Sequence, residues 1–246
     1  MKVSFQAKGD VIVITGGANG IGRALARAAA LAGARVVVCD VDEQAMQSLA
    51  AESDLIVAQK LDVGNRDAVI ETFADIEKSF GHIDGLVCGA AIQPRTAVKD
   101  MDPAEWKKVM AVNLDGVVWC YQAVIGRMIE RRRGIIVAFS SGLAYQGWPE
   151  ASAYAATKGG LIAFVKSAAK EVAQHRVRFN LIAPGVIDTP QYRAANAGAD
   201  DERWRASTGV GVPEDVVGPL LFLLSDAATM TASIVSRDFA YPASEA

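Results

Sequence analysis

Cysteine is scarce in this chain: Cys39, Cys88 and Cys120 stand far apart, each in an apolar stretch. An odd count without a CxxC pair excludes a disulfide framework and argues for buried free thiols in a reducing compartment. Charge of one sign is also missing. The net charge is −3 with no block of like charges, so neither nucleic acid nor an anionic membrane is expected as a partner. The start, Met1-Lys2-Val3-Ser4-Phe5-Gln6, lacks the apolar core of a signal peptide. No apolar run reaches the roughly 18 residues of a membrane span. A cytoplasmic protein is therefore expected, and no metal.

What is present is a regular alternation. Half of the 246 residues are hydrophobic, enough for a sizeable core. Asp10–Thr15 is a continuous β-branched run, as a strand buried on both faces should be. Further strands are expected at 35–40, 55–60, 83–88, 134–139, 176–182 and 232–239. Helices are expected at 23–32, 43–52, 66–80, 151–173 and 213–224, with a long helical region at 103–131 broken near Val112-Asn113. Strict alternation implies an α/β fold, a doubly wound Rossmann parallel sheet of about seven strands with helices on both faces. With no linker and no repeat, residues 1–246 read as a single domain. A substrate lid is expected over about residues 190–211.

The first strand turns into the first helix through Gly16-Gly17-Ala18-Asn19-Gly20-Ile21-Gly22. Glycines there let backbone approach a pyrophosphate, and a helix N-terminus offers unpaired N–H groups to it. Asp40, eighteen positions past Gly22, ends the second strand. A carboxylate there accepts hydrogen bonds from an adenosine ribose and repels a 2′-phosphate, so NAD is expected over NADP. Arg23 and Arg35 are the basic residues that could reverse this, and Asp40 could instead cap the next helix. Asp62 would reach the adenine edge with Val63 packed on the ring; a helix N-cap is the other reading of Asp62.

Tyr154 and Lys158 stand four apart in an expected helix, on one face. A tyrosine with a pKa of about 10 is a poor proton donor or acceptor at neutral pH. Two charges about 4 Å apart interact by roughly 4 kcal/mol at an effective dielectric near 20, so an adjacent ammonium would lower the phenol by up to roughly three units. That would bring it into the range of general acid–base catalysis. Taken alone, the pair also fits an amphipathic surface.

Together with Asn113, Ser141 and Pro184-Gly185, these motifs resemble the short-chain dehydrogenase/reductase family from about Lys8 to Asp226. The resemblance implies that Gly16, Asn19, Gly20, Ile21, Gly22, Asp40, Asp62, Val63 and Gly89 bind the dinucleotide. Tyr154 would exchange a proton with the substrate oxygen, and Lys158 would hold the nicotinamide ribose and keep the tyrosine acidic. Ser141, thirteen positions before Tyr154, would hydrogen-bond the substrate oxygen. Asn113 would anchor a water in the proton path. Pro184, Gly185 and Thr189 would hold the carboxamide, with Ile187 behind the ring. Singly, Asn113 also fits a helix-interrupting asparagine, and Thr189 a cap on the following turn.

Two stretches depart from the family pattern. Cys88-Gly89-Ala90-Ala91 replaces Asn-Asn-Ala-Gly, and Cys88 reads as a small buried hydrophobe. At the C-terminus, Thr231-Ala232 and Arg237-Asp238-Phe239-Ala240 replace the usual ending. The substrate side is expected at Gln93-Pro94-Arg95, Leu143 to Trp148 and Val186. Arg95 is either a solvated loop arginine or a partner for a substrate carboxylate or phosphate. The implied activity is interconversion of a secondary alcohol and a ketone with NAD(H) as cofactor, in a homotetramer or homodimer. Two alternatives stay open. One is an NADPH-dependent 3-oxoacyl-thioester reductase, against which Asp40 counts. The other is a catalytically silent nucleotide-binding regulator, supported by the Cys88-Gly89 departure.

Overall fold

The alternating apolar runs form seven parallel strands in a computed structural model that describes residues 4–197 and 209–237. They are β1 (Val11–Thr15), β2 (Arg35–Asp40), β3 (Ile56–Lys60), β4 (Gly85–Cys88), β5 (Gly134–Phe139), β6 (Val177–Ala183) and β7 (Ile234–Ser236). Their order is β3-β2-β1-β4-β5-β6-β7. The chain therefore winds outward in one direction from β1 and then in the other from β4. At that reversal the crossovers part and leave a crevice beyond the carboxyl ends of β1 and β4.

Each sheet face is covered. On one lie α1 (Gly20–Leu31), α2 (Glu43–Ala50) and α9 (Val217–Leu224), which with Ile12, Ile14, Val36 and Val38 bury one apolar layer. On the other lie α3 (Arg66–Phe80), α5 (Gly116–Arg131) and α7 (Ser152–Val172), over Val13, Val37, Leu86 and Ile136. Successive strand residues point to opposite faces, so strands buried on both need unbroken apolar runs. Two short helices, α6 (Leu143–Gln146) and α8 (Pro190–Ala195), flank the crevice.

The helical region at 103–131 is not broken. α4 (Pro103–Met110) passes into α5 through a π-helical turn, Ala111–Asp115, that holds Asn113. One extra residue per turn shifts the face without ending the helix. By length and composition alone the whole stretch could cross a membrane, contrary to the sequence expectation. Here it is a core element instead: Val109, Val117, Cys120, Tyr121, Val124 and Met128 are buried. The last strand is shorter than expected; of the expected range, residues 238 and 239 lie outside the described residues, as do 198–208 of the expected lid.

Phe179, fully buried on β6, stacks on Tyr121 at 5.4 Å and meets the edge of Phe164 at 6.1 Å. Removing that ring should cost about 3–5 kcal/mol. Phe179→Ala should accordingly unfold at much lower urea than the parent; an unchanged midpoint would refute the role given to this cluster.

Candidate active site

The glycine loop is built by close backbone approach. Gly16 takes φ +66° and Gly20 φ +52°, conformations that L side chains resist. A Cβ on Gly16 would stand 2.6 Å from Ala90 N and from the Gly89 carbonyl carbon; one on Gly89 would stand 2.9 Å from Thr15 O. The backbones of the first loop and of the β4 exit therefore touch and form one floor. Above it begins α1, whose N-cap residue Asn19 makes no capping bond and instead donates to Asp42 Oδ2 at 3.0 Å. The first-turn N–H groups of α1 face a cavity of about 520 Å³ lined by Gly16, Asn19, Gly20, Ile21 and Gly22. A phosphate oxygen matches such a terminus, and the cradle that a Cβ would fill fits a dinucleotide.

Asp40 forms the acidic wall. Its Oδ2 accepts from Ala18 N at 3.0 Å, and its Oδ1 from Val41 N at 2.7 Å and Asp42 N at 3.1 Å. The cap of α2 is Asp42, which accepts from Ala45 N at 3.0 Å, so Asp40 is not that cap. Arg23 turns away, donating to the carbonyls of Ala18 and Ala45 and to Glu52 at 2.7 Å. Arg35 donates to Asp54 O at 2.9 Å and lies over the Phe80 ring. Neither lines the cavity. Asp62 accepts from Gly64 N at 2.9 Å, while Asn65 caps α3, so Asp62 is not the cap either. Val63 is buried and packs where a Cβ on Gly116 would intrude.

At the other end of the same cavity stand Ser141, Tyr154 and Lys158. β5 delivers the serine and the first turns of α7 deliver the other two. Ser141 Oγ accepts from Leu143 N at 3.2 Å, and its hydroxyl acts on the Tyr154 phenol to lower its pKa. Lys158 Nζ stands 5.5 Å from the centroid of the Tyr154 ring and donates to Phe139 O at 2.8 Å. Here the electrostatic expectation fails. Burial pushes Tyr154 up to about 12, against the opposing effects of the Ser141 hydrogen bond and then the Arg95 charge. Burial also pulls Lys158 down to about 8. Desolvation disfavours the charged form of each group, and it is the largest cause of both shifts. Because Tyr154 is half-buried on an open cavity, water relieves part of its penalty. The cation that acts on the phenol is Arg95, which the sequence offered as a substrate partner but not as a neighbour of Tyr154.

Of the expected catalytic and cofactor-binding residues, Asn113 alone does not line the cavity. Fully buried in the π turn, it donates from Nδ2 to Ile92 O and accepts at Oδ1 from Ile92 N, both at 2.8 Å. Nδ2 also approaches Thr157 Oγ1 at 3.4 Å, and that hydroxyl donates to Tyr154 O at 2.7 Å. Asn113 thus ties the β4 exit loop to the helix turn that carries Tyr154 and Lys158. Thr157 was not foreseen as the bridge, since its hydroxyl on a helix interior looked unremarkable.

The loop after β6 closes the cavity with Pro184, Gly185, Ile187 and Thr189. Gly185 has φ +75°, and Arg237 O leaves no room for a Cβ. Thr189 caps α8, accepting from Tyr192 N at 3.1 Å, and lies where a Cβ on Gly20 would come within 3.0 Å of its methyl. Its capping and lining roles coexist. Cys88 is buried as expected, in one apolar layer with Cys120, whose pKa the Cys88 thiol raises first and burial second. On the substrate side Gln93, Leu143, Trp148 and Val186 line the cavity, whereas Tyr145 is exposed and does not.

Residues 10–200 match the family model described as short chain dehydrogenase. The chain is 35% identical over 241 residues to the 3-oxoacyl-[acyl-carrier-protein] reductase FabG of Thermotoga maritima, covering 95% of this chain and 98% of that protein. It is also 35% identical over 242 residues to cis-4-hydroxycyclohexanecarboxylate dehydrogenase of Sinomonas cyclohexanicum, covering 95% and 96%. Among solved structures, a 3-ketoacyl-(acyl-carrier-protein) reductase from Brucella melitensis complexed with NADH superposes with a TM-score of 0.87 at 26% identity, covering 94% and 97%.

The Lys158 shift has a stability consequence with a definite sign. With a folded pKa near 8 against 10.5 ordinarily, the unfolded chain holds the proton more tightly between those values, so folding stability rises with pH across that window. Below it the folded protein bears the cost of a buried charge. Lys158→Met should therefore be more stable than the parent at pH 7, by about 1–3 kcal/mol. The difference should shrink as pH rises through 8 towards 10.5. Paired urea titrations at neutral and alkaline pH read this directly, and a gap independent of pH would refute it.

Proposed function

This chain belongs to the short-chain dehydrogenase family, and from that premise we propose an NAD(H)-dependent oxidoreductase that interconverts a secondary alcohol and a ketone. The observation that carries the reading is one cavity, running from a glycine cradle with an acidic wall to Ser141, Tyr154 and Lys158. Gly16 to Gly22, Asp40, Asp62, Val63, Gly89 and the loop from Pro184 to Thr189 would hold the dinucleotide. When bound, that group supplies the hydride acceptor or donor.

Everything else in the reaction falls to side chains of this chain. Tyr154 exchanges the proton with the substrate oxygen. The Ser141 oxygen is oriented by the Leu143 N–H, which leaves its own proton for the developing oxyanion. Lys158 takes the ribose hydroxyls, and its ammonium then gains hydrogen-bond partners beyond the Phe139 carbonyl. Asn113 keeps the loop and the helix turn in register. Residues 190–211 act as the substrate lid, of which α8 is the first part, and the assembly is a homotetramer through α7 and the Pro103–Arg131 stretch.

NAD is favoured over NADP because Asp40 forms the wall while Arg23 and Arg35 are held by other partners. A 2′-phosphate would meet the Asp40 carboxylate, while the nearby cations Arg23 and Lys60 are engaged by Glu52 and Glu43. The relative named for a cyclic hydroxy acid supports carbinol chemistry. The 3-oxoacyl reductases favour a second reading, reduction of a 3-oxoacyl thioester with NADPH. Cofactor titration separates the two nucleotides, and turnover of a 3-oxoacyl thioester against a simple secondary alcohol separates the two substrates.

Tyr154→Phe should lower kcat/KM by about 10²–10⁴-fold, with the Kd for NADH nearly unchanged. Retention of most of the activity would remove Tyr154 from the acid–base role. NADH should bind at least about tenfold more tightly than NADPH, and Asp40→Asn should narrow that ratio. Tighter binding of NADPH by the parent protein would favour the thioester reductase instead.

A further inference from the structure

Arg95 lies in the loop that leaves β4, seven positions past Cys88 and directly after Pro94. Its side chain crosses to the opposite bank of the cavity. Nε donates to Ala195 O at 3.2 Å, and Nη2 donates to Asn196 Oδ1 at 3.0 Å. Asn196 is itself fixed, donating from Nδ2 to Tyr192 O at 2.8 Å. Two of the three guanidinium nitrogens thus hold the last residue of α8 and the residue that follows it.

The third nitrogen, Nη1, is buried and has no hydrogen-bond partner among the described residues. A guanidinium does not shed its proton to escape such a position. An unmatched N–H of a charged group carries the full penalty of desolvation. Burial accordingly lowers the pKa of Arg95, with Glu150, Tyr154 and Tyr192 acting the other way. Glu105 lines the adjoining cavity with Arg95, yet the Thr96 hydroxyl donates to its Oε2 at 3.0 Å and it forms no ion pair with the arginine.

The surroundings say what would satisfy Nη1. Arg95 lines the same cavity as Ser141 and Tyr154, and its charge reaches the phenol. Leu143, Trp148 and Val186 give this cavity apolar surface, beside the polar side chains of Gln93, Gln191 and Lys108. A ligand matched to this space has an apolar body, an oxygen for Ser141 and Tyr154, and a negative group for Arg95.

We propose that the substrate is a small hydroxy or oxo acid whose carboxylate binds Arg95 Nη1 while its carbinol or carbonyl oxygen meets Ser141 and Tyr154. The assignment rests on the dehydrogenase reading of this site. Because the same guanidinium grips α8, the anion is captured where the described part of the lid is anchored.

The test compares the parent protein with Arg95→Met and Arg95→Lys, after melting curves establish that each is folded. NAD reduction is measured with short-chain 2-, 3- and 4-hydroxy acids, each beside its methyl ester. Binding of unreactive butanoate, butylphosphonate and butanesulfonate to the protein–NADH complex is measured by calorimetry. The parent should prefer acids to esters. Arg95→Met should lower the acid-to-ester ratio of kcat/KM by about 30-fold or more, mostly through KM, and Arg95→Lys should restore part of it.

Equal losses on acid and ester would overturn the proposal and leave Arg95 as an anchor for α8 alone. So would failure of the parent to bind butanoate. Tighter binding of the phosphonate or sulfonate would overturn the carboxylate assignment. If no alcohol is oxidised but butanoate binds in an Arg95-dependent way, the anion site stands and the dehydrogenase reading falls.

Discussion

The contact between Gly16 and the Gly89–Ala90 backbone is the constraint on which the site depends. Thr15 and Cys88 are register partners at the ends of β1 and β4, and beyond them the two chains leave in different directions. Gly89 N donates to Thr15 O at 3.0 Å, and Gly16 N donates to Cys39 O at 2.8 Å. Three strand ends are thereby pinned to one another where the crevice opens. Any side chain at Gly16 would push the β4 exit away, carrying Ile92 with it. Through Ile92 the displacement would reach Asn113, and through Thr157 the turn that holds Tyr154. The phosphate end and the proton-transfer end are one mechanical unit.

This layout explains which features were legible in the sequence. The alternation of strands and helices, the glycine loop and Asp40 follow from local backbone conformation and from unbroken apolar runs. Gly16 and Gly20 could be read from spacing because a tight βα turn needs them there, and Asp40 because it closes the second strand. The ends of elements were less legible. Asn113 looked like a helix break, but a π turn lets the helix continue while turning the asparagine inward, and nothing in the local pattern distinguishes the two. The roles of Thr157, Asn196 and Arg95 depend on partners 44, 101 and 100 positions away. No local pattern carries that information.

Electrostatics was the least legible layer, for a definite reason. A spacing of four residues tells how near two charges can come, but not how much water each loses. In this fold the lysine ammonium sits under the sheet end, against Phe139 O, with 3% of its surface exposed. Coulomb attraction and desolvation both grow as the dielectric falls, and for a pair that is not in direct contact the second grows faster. Lys158 therefore enters the substrate-free state as a destabilising group. Such a residue persists where binding repays it (here, hydroxyls that would share the ammonium), consistent with functional sites that give up stability.

The Cys88–Cys120 thiol pair shows how a departure at the centre of the sheet is accommodated. A thiol donates weakly and accepts weakly, so the pair contributes packing more than polar cohesion. The polar ties at this level are instead backbone bonds, Gly89 N to Thr15 O, with a longer contact of 3.5 Å from Ala90 N to Thr15 Oγ1. Those bonds need no particular side chain at position 88, only the absence of one at 89. The glycine is thus the stricter requirement and the cysteine the freer one.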